Sequence, residues 1–289
     1  MQVAAEKEQN WDVVIESRNS LFDFKFRELW EYRDLLFLLV RRDFIAFYKQ
    51  TILGPIWFFL QPLMTMAMFV IIFSRLANIS TSGIPAPLFY MVGIISWNYF
   101  AECLLKTSTV FKDNANVFGK VYFPRLILPF SIVASNLVRF GVQFILLVIM
   151  ILFYTIFRPE EFSFRFNIYL LLLPVLIALM ALFGLGMGMI ISAMTTKYRD
   201  LVFLVTFGVQ LFMYATPVIY PLHAAPDSIE SIIRLNPLSS IIEGLRLAIL
   251  GRGDFDPGSL LYSAGVILGM TFIGILIFNK TEKNFIDTV

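Results

Sequence analysis

The sequence is short of charge and nearly without cysteine and histidine. Asp, Glu, Lys and Arg make up 15% of its 289 residues, against about 25% in an ordinary soluble domain. A single cysteine, Cys103, and a single histidine, His223, exclude a disulfide framework and a Cys/His zinc site. They exclude a Cys–His nucleophile as well, unless the two side chains meet. No G-x-x-x-x-G-K-[ST] segment is present to cradle ATP phosphates, and neither is H-E-x-x-H nor an Asp/His cluster within an apolar run. Catalytic groups for hydrolysis or metal-assisted chemistry are therefore not expected in this chain, and no cofactor or metal is assigned to it. Residues 1–14, MQVAAEKEQNWDVV, lack the basic start and apolar stretch of a cleavable signal peptide. The first fifty or so residues are expected on the cytoplasmic side.

Apolar surface is what the sequence has in excess. Hydrophobic residues form 58% of the chain, Phe occurs 31 times, and the mean hydropathy is +0.76. A core of this length does not require so much, so the solvent for much of the surface is lipid. A bilayer core of about 30 Å takes about 20 apolar residues as a helix. Six stretches qualify, near residues 55–74, 87–105, 126–157, 168–194, 201–220 and 259–278. The reading is an all-α integral membrane domain over 55–280, preceded by a cytoplasmic region (1–54) and followed by a short tail (281–289). With the N-terminus inside, sixteen basic residues fall on cytoplasmic segments and six (Arg75, Arg158, Arg165, Arg234, Arg246, Arg252) on outer ones. Arg139 lies within the third span. This bias satisfies the positive-inside rule with both termini cytoplasmic, and it sets Cys103 near the inner face and His223 near the outer.

Three segments are too polar to span. Residues 26–51 place Arg27, Glu31, Asp34, Arg41, Arg42 and Lys49 at helical spacings among apolar and aromatic residues. That pattern reads as an amphipathic helix lying in the membrane surface, either an anchor or a docking surface. Residues 106–129, between spans two and three, carry Lys106, Lys112, Lys120 and Arg125 with Phe111, Phe118, Tyr122 and Phe123. Asp113, Asn114 and Asn116 can cap a short helix there, and Pro124 restricts what precedes it. Residues 221–257 hold two short amphipathic pieces, 227–235 and 238–250, separated by Asn236-Pro237. Asp227 and Glu230 suggest a capping box with Asp in place of Ser or Thr. These pieces are expected as two helices that dip back at the outer face, or as helices of a surface loop.

Within the spans, Gly184, Gly188 and Ser192 recur at steps of four. They form a face that admits close helix approach, inside one subunit or between two. Glu102 and Arg139 are the clear intramembrane ionisable residues; such groups are expensive in lipid and usually pair, and an ion pair between them is expected. The outer carboxylates Glu160, Glu161, Asp254 and Asp256 read as solvated.

Particular words of the sequence resemble the type-2 ABC exporter permeases. RRDFIAFYKQTILGPIWFFLQPL (41–63) resembles the approach to the first span of the polysaccharide-export subfamily, and NANVFGKVYFPRLILP (114–129) its coupling-loop signature. ATPVIYP (215–221) and RLNPLSSIIEGLR (234–246) are similar to its outer-gate region. The resemblance implies a homodimer with two separate ATP-binding cassette subunits, which hold the ATP and Mg, in the bacterial inner membrane. Export of lipid-linked O-antigen, capsule or teichoic acid chains is the implied task, with no nucleic-acid partner. Carried onto this sequence, Asn114, Asn116, Lys120, Val121, Tyr122, Phe123, Pro124 and Arg125 would couple to the ATPase. Spans one and five would line the pathway with Trp57, Phe58, Gln61, Phe203, Phe207, Gln210 and Tyr214, rings for sugar faces and amides for hydroxyls. Pro217, Pro221, Asn236 and Pro237 would mark the outer gate. A drug or small-lipid exporter of the same architecture, and more distantly a membrane glycan-processing enzyme, remain open alternatives.

Overall fold

Lipid-facing sequence without polar spacing leaves the backbone no partner but itself, and among the described residues every regular element is helical. The computed structural model describes residues 26–49, 52, 54–114 and 123–286. Helices α1 (Phe26–Glu31) and α2 (Arg33–Tyr48) come first. Helix α3 (Trp57–Phe69) follows a 3-10 turn and continues as a π-helical stretch, Val70–Leu76. Helix α4 (Ala86–Ser108) runs into the single turn of α5 (Val110–Asp113). Then come α6 (Ile127–Phe157), α7 (Leu173–Lys197, led in by the 3-10 turn Ile168–Leu172) and α8 (Leu201–Tyr214). Two short helices, α9 (Asp227–Leu235) and α10 (Pro237–Leu250), precede α11 (Pro257–Ile286).

Five of these units, Gly54–Leu76, Ala86–Ser108, Ile127–Phe157, Ile168–Lys197 and Pro257–Thr281, are long and apolar enough to cross a membrane. The chain reverses between successive units, with α8 returning it between α7 and α11 so that these two run parallel, Leu182 meeting Thr271 and Gly186 meeting Gly274. The bundle has one end carrying α1 and α2, here the α2 end, and another carrying α9 and α10, the α10 end. Helix α4 is the centre. Most of its residues are buried, Leu88 to Val92 and Ile94 to Trp97 among them, and α3, α6, α7 and α8 pack around it. The main core joins α4 to Leu176, Met180 and Phe183 of α7, Ile241, Ile242 and Leu245 of α10 and Ile267 of α11.

The Gly184–Gly188 face is filled by α4 of the same chain. A Cβ at Gly188 would stand 2.6 Å from Thr107 Cβ, and one at Gly184 2.8 Å from Cys103 Cβ. Thr195 Oγ1 continues the seam by donating to the Ser108 carbonyl. On its other side, α7 meets α11 just as closely, for a Cβ at Gly274 would lie 2.6 Å from the Gly186 carbonyl.

Three expectations need correction. The fifth apolar stretch is helical only to Tyr214, fourteen residues, or about 21 Å at 1.5 Å per residue. Pro217 lacks an N–H and restricts Thr216 before it, so the chain leaves the helix and turns through 215–221. The piece at 238–250 is not amphipathic in place: α10 is buried on nearly every side. The start of α9 also lies one residue earlier than a box on Asp227 requires. Pro226 occupies the cap position, and Glu230 receives Arg234 at 2.6 Å.

Candidate functional site

Several helices keep exposed faces, α6 and α11 with apolar residues such as Ile149, Leu152, Leu261 and Leu268, and two of them, α3 and α8, expose an amide among the rings. On α3, Trp57, Met64 and Met68 are exposed, as is Gln61; the spacing of four, three and four keeps them on one side. On α8, Phe203, Phe207, Gln210 and Tyr214 share a face by the same spacing and are exposed, Phe203 by 79%. Both helices lean on α4, through Phe69 on Tyr90 and through Phe212 on Trp97. Phe58 differs from its neighbours on α3. It is 4% exposed and stacks on Phe44 of α2 at 5.7 Å, so it fastens the N-terminal helices to the bundle and does not join the exposed face.

At the α2 end a second apolar core gathers residues from both sides of segment 115–122 in the sequence. It joins Leu39 of α2, Val110 and Phe111 of α5, Phe123 and Leu126 to Leu128, Leu185 and Met189 of α7, and Ile275 and Phe278 of α11. Phe111 and Phe278 stack at 4.6 Å. Asn114 closes α5 by donating Nδ2 to the Val110 carbonyl at 3.0 Å, while Asp113 accepts from Thr109 Oγ1 at 2.6 Å. Phe123, Pro124 and Arg125 are buried where the chain re-enters. Of the eight residues expected to couple to an ATPase, these three and Asn114 are placed here. Asn116, Lys120, Val121 and Tyr122 lie outside the described residues.

Glu102 and Arg139 face each other between α4 and α6 at 3.6 Å. Lys106, one turn along α4, is nearer to the same carboxylate oxygen at 3.0 Å. Glu102 and Arg139 line a cavity of about 80 Å³ together with Phe58, Gln61, Asn98, Tyr99, Asn136, Phe140 and Gln143. Asn136 and Arg139 also form part of a wider cleft of about 660 Å³ beneath α2.

The α10 end holds a cluster that sequence reasoning did not single out; it assigned Arg246 only to an outer segment. Glu243 and Arg246, one turn apart on α10, are 2% and 1% exposed and bond at 2.7 Å. Arg246 Nη2 donates to the Val218 carbonyl at 2.8 Å, and the guanidinium lies 3.8 Å from the centre of the Phe89 ring. The second oxygen of Glu243 accepts from the Asp254 amide at 3.2 Å. Asn236, at the α9–α10 junction, donates to Ala215 O and Thr216 Oγ1 at 3.2 and 2.8 Å and accepts from the Leu238 amide. The carbonyls freed where α8 stops are thus taken by Asn236 and Arg246. Pro217 and Pro221 bound this turn, both buried, and Pro237 starts α10 at a position that needs no N–H.

His223 ties three loops at the same end. Its Nδ1 is 2.7 Å from Asp254 Oδ2 and its Nε2 3.4 Å from Ser82 Oγ, while Arg252 donates to the Ser82 and Gly83 carbonyls. Ser, His and Asp in this order recur as a hydrolytic constellation; here they sit in three exposed loops and act as a latch between them. Asp256 is solvated, as expected, and has a local partner. It accepts from both the amide and the hydroxyl of Ser259 at 2.8 Å, which caps α11 and holds the carboxyl below its ordinary range.

Among the described residues no group of His, Cys, Asp and Glu is placed to hold a metal ion. Residues 34–250 match the sequence profile of the ABC-2 type transporter family. The O-antigen export system permease protein RfbA of Myxococcus xanthus is 29% identical over 266 residues, 91% of this chain and 98% of the relative. A protein of the same name from Klebsiella pneumoniae is 30% identical over 258 residues, 88% and 94% of the two chains. The polysialic acid transport protein KpsM of Escherichia coli is 20% identical over 231 residues, covering 80% and 87%.

Proposed function

The chain belongs to the ABC-2 type transporter family, and we propose from that premise that it is the permease subunit of an exporter of lipid-linked polysaccharide, driven by ATP hydrolysis on a separate subunit. Relatives that carry the names O-antigen export permease and polysialic acid transport protein support the substrate class, and the absence of an ATP-phosphate loop from the sequence supports a separate ATPase.

The observation that carries the reading is the pair of bare faces on α3 and α8. Trp57 and Gln61 on one, and Phe203, Phe207, Gln210 and Tyr214 on the other, are exposed in a single copy. Rings that stack on sugar faces, with amides that bond hydroxyls, suit a chain that slides. Two copies set face to face would enclose these surfaces, which favours a homodimer with one ATPase per copy. The α2 end is cytoplasmic in this reading, in agreement with the basic residues gathered there, and segment 114–125 seats on the ATPase. The second core then carries its movement to α2, α7 and α11, and through α4 to the bare faces. The turn at 215–221, held by Asn236 and Arg246, closes the outer side.

The test is reconstitution of the chain with its ATPase subunit in sealed vesicles. ATP-dependent appearance of a radiolabelled undecaprenyl diphosphate-linked glycan on the far side is expected. Transport that needs no ATPase subunit, or movement of small amphiphiles with no movement of the glycan, would reject the proposal.

A further inference from the structure

The cleft beneath α2 has a lining that helix packing alone does not require. It is bounded by Arg42, Asp43 and Ala46 of α2, by Lys106, Asp113 and Asn114 near the end of α4, and by Ser131, Ser135, Asn136 and Arg139 of α6. Asn136 and Arg139 lead from it into the smaller cavity, where Gln61, Asn98, Glu102 and Gln143 add further polar groups. Amides and charges at these positions in spanning helices are costly and face interiors or pathways when they occur. Leucine or isoleucine would have filled the same gaps.

Asn136 makes the case for a ligand. Its side chain is 2% exposed, its Nδ2 reaches only Cys103 Sγ at 3.9 Å, and its Oδ1 has no hydrogen-bond partner among the described residues. A buried acceptor left in that state costs about 1–3 kcal/mol, which a hydroxyl or amide donor from a bound molecule would offset. The dimensions say how such a molecule sits. About 660 Å³ lies within the ~300–1,000 Å³ of ordinary ligand clefts. About 80 Å³ admits two or three water-sized groups at ~30 Å³ each, so a ring stays in the cleft while its substituents reach inward.

Charge narrows the chemistry. Arg42 is paired with Asp43 at 2.8 Å, and Lys106 with Glu102 at 3.0 Å. Each cation can turn to a phosphate that offers more oxygens, yet the balance of acids and bases on the rim, Asp113 included, does not favour a bare polyanion. Hydroxyls of Ser131 and Ser135 and the amide of Asn136 suit a sugar. Gln61 belongs both to the inner cavity and to the exposed face of α3, so the polar track leads from beneath α2 toward the proposed pathway.

We propose that this cleft and cavity dock the phosphorylated sugar next to the lipid carrier before it crosses. The assignment rests on the exporter reading and adds to it a loading site between α2, α4 and α6, apart from the α3 and α8 faces. It is tested on the full permease–ATPase complex in nanodiscs, by ATP hydrolysis as a function of added undecaprenyl diphosphate-linked N-acetylglucosamine. Asn136→Leu is expected to raise the half-saturating concentration at least tenfold with maximal hydrolysis within twofold, and Asn136→Ser to recover most of the shift. An unchanged half-saturating concentration in Asn136→Leu overturns the assignment. A photoreactive analogue of the same lipid tests it without any substitution: labelling of α2 and α6 around Ala46 and Ser135 supports it, and labelling confined to α3 and α8 overturns it. Competition by phosphatidylglycerol as effective as by the sugar lipid would make the cleft a general anionic-lipid site and overturn the sugar assignment; competition by soluble N-acetylglucosamine-1-phosphate alone would remove the role of the lipid. A wild-type complex that transports nothing and responds to no lipid-linked sugar would sink the exporter reading itself, whereas wild-type stimulation with an indifferent Asn136→Leu sinks only the cleft.

Discussion

Arg246 has the largest of the fully buried side chains in the described molecule, and everything it touches is buried with it. Its partners are one carboxylate, one carbonyl and one ring face. Removing either member of such a pair leaves a charge without compensation, which costs about 3–5 kcal/mol, while replacing both with apolar residues of similar size is close to neutral. Glu243→Leu and Arg246→Met are therefore each expected to lower the thermal transition of the purified protein sharply, and the double variant to recover most of the loss. Additive losses in the double variant would show that the two act separately. Asp256 supplies a weaker, pH-dependent effect. Its carboxyl is held below the ordinary range by Ser259, so its contribution is complete above the unfolded carboxylate pKa of about 4 and is lost as pH falls through the lower folded value. The transition temperature of Asp256→Asn should lie below wild type at pH 7, and the gap should narrow as pH falls below the unfolded pKa of about 4. Little of this was legible beforehand. Glu243 and Arg246 were visible three residues apart, but α10 carries enough polar residues to read as a surface helix. Only the packing of Leu176 and Phe255 against Gly244, contacts distant in sequence, tells that it is enclosed.

At the scale of elements, periodicity and length located the helices well where apolar runs were long, and failed where a tertiary partner overrides local pattern. Pro217 signals a break in the fifth stretch, yet that the break is stable depends on Asn236 and Arg246 taking up its carbonyls. The Gly184–Gly188 step was legible as a close contact, and its partner was not, because Thr107 and Cys103 carry no matching signal. Gly188→Ala places a methyl 2.6 Å from Thr107 Cβ, where neither helix backbone can retreat, and overpacking of this kind costs about 1–3 kcal/mol. Loss of stability without loss of helix content by circular dichroism is the expected result. Phe278 was not legible as anything but the last residues of a span. In the structure it lies under α5, stacked on Phe111, in one core with Phe123 and Leu126. Phe278→Ala in the assembled complex should preserve ATP hydrolysis and reduce glycan moved per ATP severalfold, with Phe278→Leu intermediate. Equal stoichiometry in all three would assign the second core to stability alone.

For the whole molecule, the proposed homodimer rests on the amides that one copy leaves exposed on its helices. The interior is closed around α4; α6 and α11 turn apolar residues such as Ile149, Leu152, Leu268 and Phe272 outward, whereas α3 and α8 expose Gln61 and Gln210 among their rings. Lipid could cover rings, but Gln61 and Gln210 are poorly served by lipid and well served by water or by a hydroxylated chain. A second copy that encloses both helices around an aqueous path satisfies the rings and the amides together. That arrangement makes a specific demand. Residues on the exposed edge of these faces must approach their counterparts in the other copy, while residues turned inward must not. The one native cysteine, Cys103, is buried against Gly184, so a newly introduced surface cysteine is the reactive one. Gln61→Cys and Phe207→Cys, treated in native membranes with a bifunctional maleimide that spans the path, should each give a covalent dimer in yields that change when ATP is bound by the partner subunit. Val209→Cys, on the buried side of α8, should give none. Cross-linking that ignores this distinction would mean that the bare faces look onto lipid, and that the path of the glycan lies elsewhere in the bundle.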